Sequence, residues 1–300
     1  MGVQETINEL EKKRKEAHAS FIVTLVFGGV FCLGAEALLL YGGLDNSLDQ
    51  VTSEVLVGIG LVLFFFFGAV FSHHALAISR DYKKETLAAL MPYLTPKKYQ
   101  DFAFKEDYDM LLFAKAFKQV LSVRPSRDET SYFEGRFPGA SFFSFAYSYI
   151  RNDPHLHGEI QGRYVKFTLP HTFPFEMIMK DRRSPSYFKK KRLLIRLKSD
   201  SASFDATHDV TANKEVEGMN LLSPKMIAAI EAINADYGVK LSARFRENKV
   251  YVYFDDYHAR YLLSLDHPLD LKAYDALEDE ILLVYRAYKA LNLDSSFYSI

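Results

Sequence analysis

Two long apolar runs fill most of the first eighty residues, and beyond them the pattern breaks into short alternating segments. Residues 21–41 read FIVTLVFGGVFCLGAEALLLY, a run of about 21 residues that as a helix would extend about 32 Å, the thickness of a bilayer's hydrocarbon core. Residues 55–78, VLVGIGLVLFFFFGAVFSHHALAI, are long enough to cross again with some tilt. The connection, residues 42–54, carries Asp45, Asp49 and Glu54 and no Lys or Arg. By contrast, Lys12, Lys13, Arg14 and Lys15 precede the first run, and Arg80, Lys83 and Lys84 follow the second. Positive flanks are retained on the cytoplasmic side, so the pattern predicts a transmembrane hairpin with both termini cytoplasmic. A charged lead-in of about twenty residues does not match a signal peptide's short basic region, so the segment is expected to stay on the mature chain.

Helical spacing continues through Leu87, Leu90 and Leu94 until Thr95-Pro96 interrupts it, which predicts an anchor rigidly coupled to the rest of the chain. Residues 105–120, with Tyr108, Leu111, Leu112 and Phe117 on one face, predict an amphipathic helix, and residues 122–128 a loop. Across 130–179 the runs TSYFEGRF, SFFSFAYSYI, EIQGRYVKFTL and FEMIM are aromatic and β-branched, broken by Gly and Pro, and read as antiparallel strands; 193–197 is a further one. Ser223-Pro224 offers an N-cap and a first helical residue for KMIAAIEAINADY, which stops at Gly238. VKLSARF and KVYVYF then alternate around Glu247 and Asn248 as a hairpin. In residues 269–291, Leu277, Ile281, Leu282, Tyr285 and Tyr288 form one stripe of a closing helix. The fold class is therefore α+β: an N-terminal helical hairpin, then a cytoplasmic domain of antiparallel sheet and packed helices. Its expected divisions are 1–20, 21–78 and 79–300, with a sub-boundary near 199–215.

Charge adds little, since the net value is -1, and bulk electrostatics argues against a nucleic-acid binder. The single cysteine, Cys32, excludes a disulfide framework within the chain and zinc sites built on paired cysteines. No P-loop, dinucleotide fingerprint or nucleophile elbow is present, and no cofactor is implied.

The basic N-terminal helix, the two-span hairpin, the FEG strand start at Phe133–Gly135 and the segment SFDATHDVTANKEVEGMNLLSPKMIAAIEAINADYGVKLSARFRENKVYVYF resemble an uncharacterised bacterial two-span membrane family, domain of unknown function 3137. Its most specific part is Ser203-Phe204 ahead of the Leu222-Ser223-Pro224 helix start and the hairpin. The resemblance implies a multi-pass protein of the bacterial cytoplasmic membrane with a cytosolic α+β domain. It brings no activity and no catalytic residue, and the basic run at 187–192 departs from the family pattern.

Several positions carry candidate chemistry. Glu36 lies inside the first span, where a carboxyl either snorkels or bonds a neighbouring helix, or handles protons or ions. His73 and His74 sit near the cytoplasmic end of the second span, either reaching the interface or sensing pH. Gly28, Gly29, Gly34, Gly58, Gly60 and Gly68 favour helix association, within or between chains. His155, His157 and Glu159 share a face if extended and, with His171, offer a metal site or a polar loop. The basic stretch from Lys180 to Lys198, including Arg182, Arg183, Lys189, Lys190, Lys191 and Arg192, suits anionic headgroups or plain solvent. His208 with Asp209, and Asp255 and Asp256 with His258, are acid and imidazole groups at strand ends. Together these features point to a non-enzymatic, self-associating membrane scaffold or adaptor with the bilayer, anionic headgroups and a protein as partners. The alternatives are a homo-oligomeric channel or transporter subunit with Glu36 on its path, and a membrane-surface enzyme.

Overall fold

A computed structural model describes residues 2–44, 49–90, 92–94, 100–104, 133–150, 159–184, 194–257 and 265–293. The expected helix at 105–120, the loop at 122–128, His155, His157, Lys189 to Arg192 and His258 lie outside them. The chain divides into two compact units: Met1–Tyr93 with Leu263–Tyr274, and Leu94–Leu262 with Asp275–Ile300.

In the first unit α1 runs from Val3 to Leu44 and α2 from Gln50 to Leu90. The basic lead-in and the first apolar run are one helix, because nothing between Lys15 and Phe21 breaks it. The two helices approach closely at glycines. A side chain at Gly28 would meet Phe71 Cβ at 2.7 Å, and one at Gly60 would meet Leu39 at 2.8 Å and the Ala35 carbonyl at 3.0 Å. Gly29, Gly34, Gly58 and Gly68 face open space instead. Phe31 packs against Phe67 and Phe71 with ring centres 4.8 and 5.6 Å apart. Both helices are long and apolar enough to cross a membrane.

α2 stops at Leu90, short of the expected break at Thr95-Pro96. Pro92 is the earlier signal, since a proline disfavours helical backbone in the residue before it. The polar end of α1 is tied by a short segment from far along the chain. Arg14 donates to Glu11 at 2.7 Å and to the Leu265 carbonyl, the Leu269 amide donates to Glu11 at 2.8 Å, and His18 lies 3.4 Å from Asp266. The hydrogen bonds from Arg14 are the main reason Glu11 is held below the usual carboxylate range. Ile7, Leu10, Leu87, Leu90, Leu265 and Leu269 are buried beside these polar ties.

The second unit is built on an antiparallel sheet whose nine described strands run in the order β1-β2-β3-β4-β9-β8-β5-β7-β6. The strands are β1 Gln100–Phe104, β2 Phe133–Phe137, β3 Ala140–Ile150, β4 Glu159–Thr168, β5 Met177–Asp181, β6 Ile195–Leu197, β7 His208–Ala212, β8 Lys240–Arg246 and β9 Lys249–Asp255. Helices α3 (Ala202–Thr207), α4 (Glu215–Leu221), α5 (Pro224–Tyr237) and α6 (Leu271–Ala290) complete it, with the start of α6 belonging to the first unit. The fold is thus α+β, with β1, β7, α3 and α4 added to the elements expected from sequence. Ser223 caps α5 by accepting from the Met226 amide, and Gly238 ends it at φ 66°. Of the expected stripe on α6, Leu277, Ile281 and Tyr288 are buried while Leu282 and Tyr285 are half-buried, Val284 and Ala287 complete the core face, and Phe137 lies 4.6 Å from the Tyr288 ring.

Candidate functional site

The polar groups that sequence reading singled out at strand ends gather at one end of this sheet. Register places Tyr147 on β3 opposite Gly162 on β4, Gly162 opposite Asp255 on β9, and Asp255 opposite Lys240 on β8. Asp181 closes β5 opposite His208 on β7, and its amide donates to Ser242 Oγ on β8 at 3.1 Å. Strand alternation puts Tyr147 and Asp255 on one face and Asp181 and His208 on the other.

On the first face the Tyr147 hydroxyl donates to Asp255 Oδ1 at 2.6 Å. The tyrosine reaches it by lying across Gly162, where a Cβ would collide with the Tyr147 hydroxyl and come within 2.5 Å of the Phe254 carbonyl. Only glycine leaves room for that crossing. Asp255 is 1% exposed. Burial pushes its carboxyl up to about 7, with Asp256 and Asp181 adding to the rise and the Ser184 and Tyr147 hydroxyls opposing it. Lys240 is paired with Asp256.

On the second face Asp181 is fully buried and accepts from Arg183 three times, from its amide at 2.9 Å and its guanidinium at 3.0 and 2.6 Å. Burial alone would raise Asp181, but these bonds, the Arg183 charge and His208 outweigh it and hold the carboxyl below its usual range. His208 stacks on Phe204 at 4.2 Å, with Nδ1 2.9 Å from Thr207 Oγ1. Burial drives its imidazole down. It lines a cavity with Arg196, Lys198 and Asp205 that neither Asp255 nor Asp256 lines. The arrangement brings His208 and Asp255 to the same end of the sheet without pairing them on one face. Its chemistry is to hold a proton on Asp255 in the neutral range.

The remaining candidates are dispersed. Arg183 pairs with Asp181, and Arg182 and Arg196 share Asp209, at 3.1 and 3.0 Å, so two carboxylates face three guanidinium groups. Glu159 opens β4 opposite Ile150. His171 packs edge-on against Phe173 and burial lowers its pKa. Among the described residues no group of three or more His, Cys, Asp or Glu is placed to hold a metal ion. His73, His74 and Glu36 are exposed on the helix pair.

Sequence reading missed two features. Arg163 on β4 is fully buried and donates to Glu280 of α6 at 2.7 Å and to Ser144 at 2.9 Å, with its guanidinium 4.9 Å from the Phe133 ring centre. A lone Arg in an apolar strand and a lone Glu on an apolar helix stripe were the available signal. The second is a groove between α5 and α6 with Met226, Ala229, Ile233 and Tyr285 in its floor and Lys225 and Lys289 at its rim.

The family model described as Protein of unknown function (DUF3137) matches residues 113–293. That match starts beyond both apolar helices and takes in most of the sheet unit. No curated protein matches the chain. Among solved structures, the crystal structure of the mycobacterial trehalose monomycolate transport factor A, TtfA, aligns with TM-score 0.37 and 10% identity, covering 64% of this chain and 88% of that one. A likeness at that level carries no functional argument.

Proposed function

The chain belongs to the DUF3137 family, whose model covers more than half of it, and from that premise we propose that it is a membrane-anchored adaptor. α1 and α2 hold it in a bacterial cytoplasmic membrane with both termini cytoplasmic, and the sheet unit is its interaction domain. One observation supports this above the others: among the described residues, every large exposed hydrophobic side chain except Ile195, Val216 and Leu271 lies between Ile22 and Leu76. An apolar surface that large is not left to water, and lipid is the medium it fits. The basic residues that flank the two runs and are missing from the connection set the orientation. Lys12, Lys13, Arg14 and Lys15 before the first run and Arg80, Lys83 and Lys84 after the second carry that asymmetry.

In the sheet unit the α5–α6 groove is the surface for a partner. Ala229, Ala232 and Ala290 let a backbone approach, and with Asp236 paired to Arg286 the remaining lining charges, Lys225 and Lys289, suit an acidic amphipathic helix. Purifying the tagged full-length protein from native membranes in mild detergent, with mass spectrometry and particle mass, tests the reading. A stoichiometric second protein lost from an Ala232→Arg variant is the expected result. A particle holding this chain alone, the same for both versions, contradicts it.

A further inference from the structure

The face of the sheet that carries Tyr147 and Asp255 has a second polar region at its opposite end. Register sets Ser141 on β3 beside Thr168 on β4, and Thr168 beside Lys249 on β9; two positions further in, Phe143 lies beside Lys166, and Lys166 beside Tyr251. Strand alternation keeps these six residues on that face. It turns Phe142 and Phe167 to the other one, where Phe167 meets Tyr288 of α6 with ring centres 6.2 Å apart. Ser141 is exposed and the other five are half-buried. The Lys166 ammonium lies 5.1 Å from the centre of the Phe143 ring. Lysine ammonium groups only donate hydrogen bonds, and the hydroxyls of Ser141, Thr168 and Tyr251 can donate alongside them. Among the described residues none of these five polar groups is engaged in a hydrogen bond or an ion pair.

The carboxylates around the patch do not supply the missing acceptor. Glu176 pairs with Arg244 at 2.5 Å and Glu247 with Arg246 at 3.1 Å, and Glu134 beside Phe143 is matched in sign by Arg136 beside Ser141. Lys166 and Lys249 remain as excess positive charge on one face. Burial and the charge of Lys249 both push the Lys166 ammonium below its usual range, a cost that an anion bound beside them removes. We propose that the patch is a binding site for a phosphate monoester, its phosphoryl oxygens taken by Lys166, Lys249 and the Ser141 and Thr168 hydroxyls, with Phe143 and Tyr251 flanking the ester group. A monoester near pH 7 carries about two charges and three terminal oxygens, which matches a pair of ammonium groups with further donors beside them. A carboxylate brings a single charge and fewer oxygens, and a phosphodiester headgroup likewise offers a single charge, so either leaves one lysine without a counter-ion. The site lies wholly within the sheet unit. It goes beyond the adaptor reading by adding a small-molecule ligand, and it needs neither a membrane nor a protein partner.

Calorimetric titration of the full-length protein in a maltoside detergent, with glycerol phosphate as the probe, tests it. Glycerol phosphate is expected to bind at least about 10-fold more tightly than dimethyl phosphate or acetate. Lys166→Gln combined with Lys249→Gln should cost at least about 10-fold in that affinity with the denaturant midpoint unchanged. Arg182→Gln combined with Arg196→Gln, which removes cations elsewhere on the sheet unit, should leave the affinity as it is. If the lysine variant misfolds, Ser141→Ala with Thr168→Val keeps every charge and should still weaken binding by about 3- to 10-fold. No binding of glycerol phosphate, equal binding of dimethyl phosphate, an affinity unmoved in the lysine variant, or the same loss in the arginine variant overturns the proposal. So does binding of phosphatidic acid in mixed micelles without binding of glycerol phosphate, which makes the patch a lipid contact.

Discussion

Glu280→Ala is expected to cost the sheet unit about 3–5 kcal/mol, the usual result of removing one partner from a buried ion pair. The cost arises on the other side of the pair. Arg163 is fully enclosed, and without Glu280 its charge loses its carboxylate and is left with neutral neighbours such as the Ser144 hydroxyl and the Phe133 and Tyr257 rings. Arg163→Met combined with Glu280→Leu should recover most of that loss, because apolar side chains of similar volume carry no desolvation cost. Denaturant unfolding of the full-length protein in detergent, read through hydrogen exchange of the β3 and β4 amides, provides the comparison. A single substitution costing less than about 1 kcal/mol would show that the pair reaches water.

The second large effect depends on pH. Asp255 titrates near 7 in the folded protein and near 3.9 in an unfolded chain, so the folded state binds a proton that the unfolded state has released. Stability from this group is complete below about pH 4 and is lost as pH rises through about 7. At about 1.4 kcal/mol for each tenfold difference in proton affinity, the loss is about 4 kcal/mol. Among the groups that act on it are Tyr147 on β3, Asp181 at the end of β5, and Asp256, which is paired with Lys240 on β8. His208, driven down by burial, works in the opposite sense, costing stability as pH falls. Comparing Asp255→Asn with the parent at each pH cancels that contribution. The amide oxygen can still accept from Tyr147, so the variant should lose the decline between about pH 4 and 7 while keeping its fold. An unchanged pH slope in the variant would place the titration elsewhere.

Much of this architecture was legible in the sequence because its signals are local. The apolar runs in α1 and α2, the alternating strands β2 to β4, the Ser223 cap with Gly238, and the two-residue turn at Glu247 and Asn248 each declare themselves within a short stretch of chain. Elements whose identity depends on distant neighbours did not. β7 reads HDVTA, with no apolar alternation strong enough to separate it from a loop, and it becomes a strand because β5 and β6 flank it. The order that sets β9 between β4 and β8 has no local sign. For the same reason the strand-end acids were visible as residues but not as a site. Asp255 owes its environment to a tyrosine 108 positions earlier and to Gly162 between them. Arg163 and Glu280 are 117 positions apart.

That α1 and α2 form a membrane hairpin whose flanks share one side is tested most directly with single cysteines in the Cys32→Ser background, placed at Lys12, Asp49 and Lys84 and challenged with a membrane-impermeant maleimide. In intact spheroplasts the account predicts labelling at position 49 alone, with positions 12 and 84 reacting only after lysis. Labelling of all three in the same step, or recovery of the protein in the soluble fraction, would contradict it.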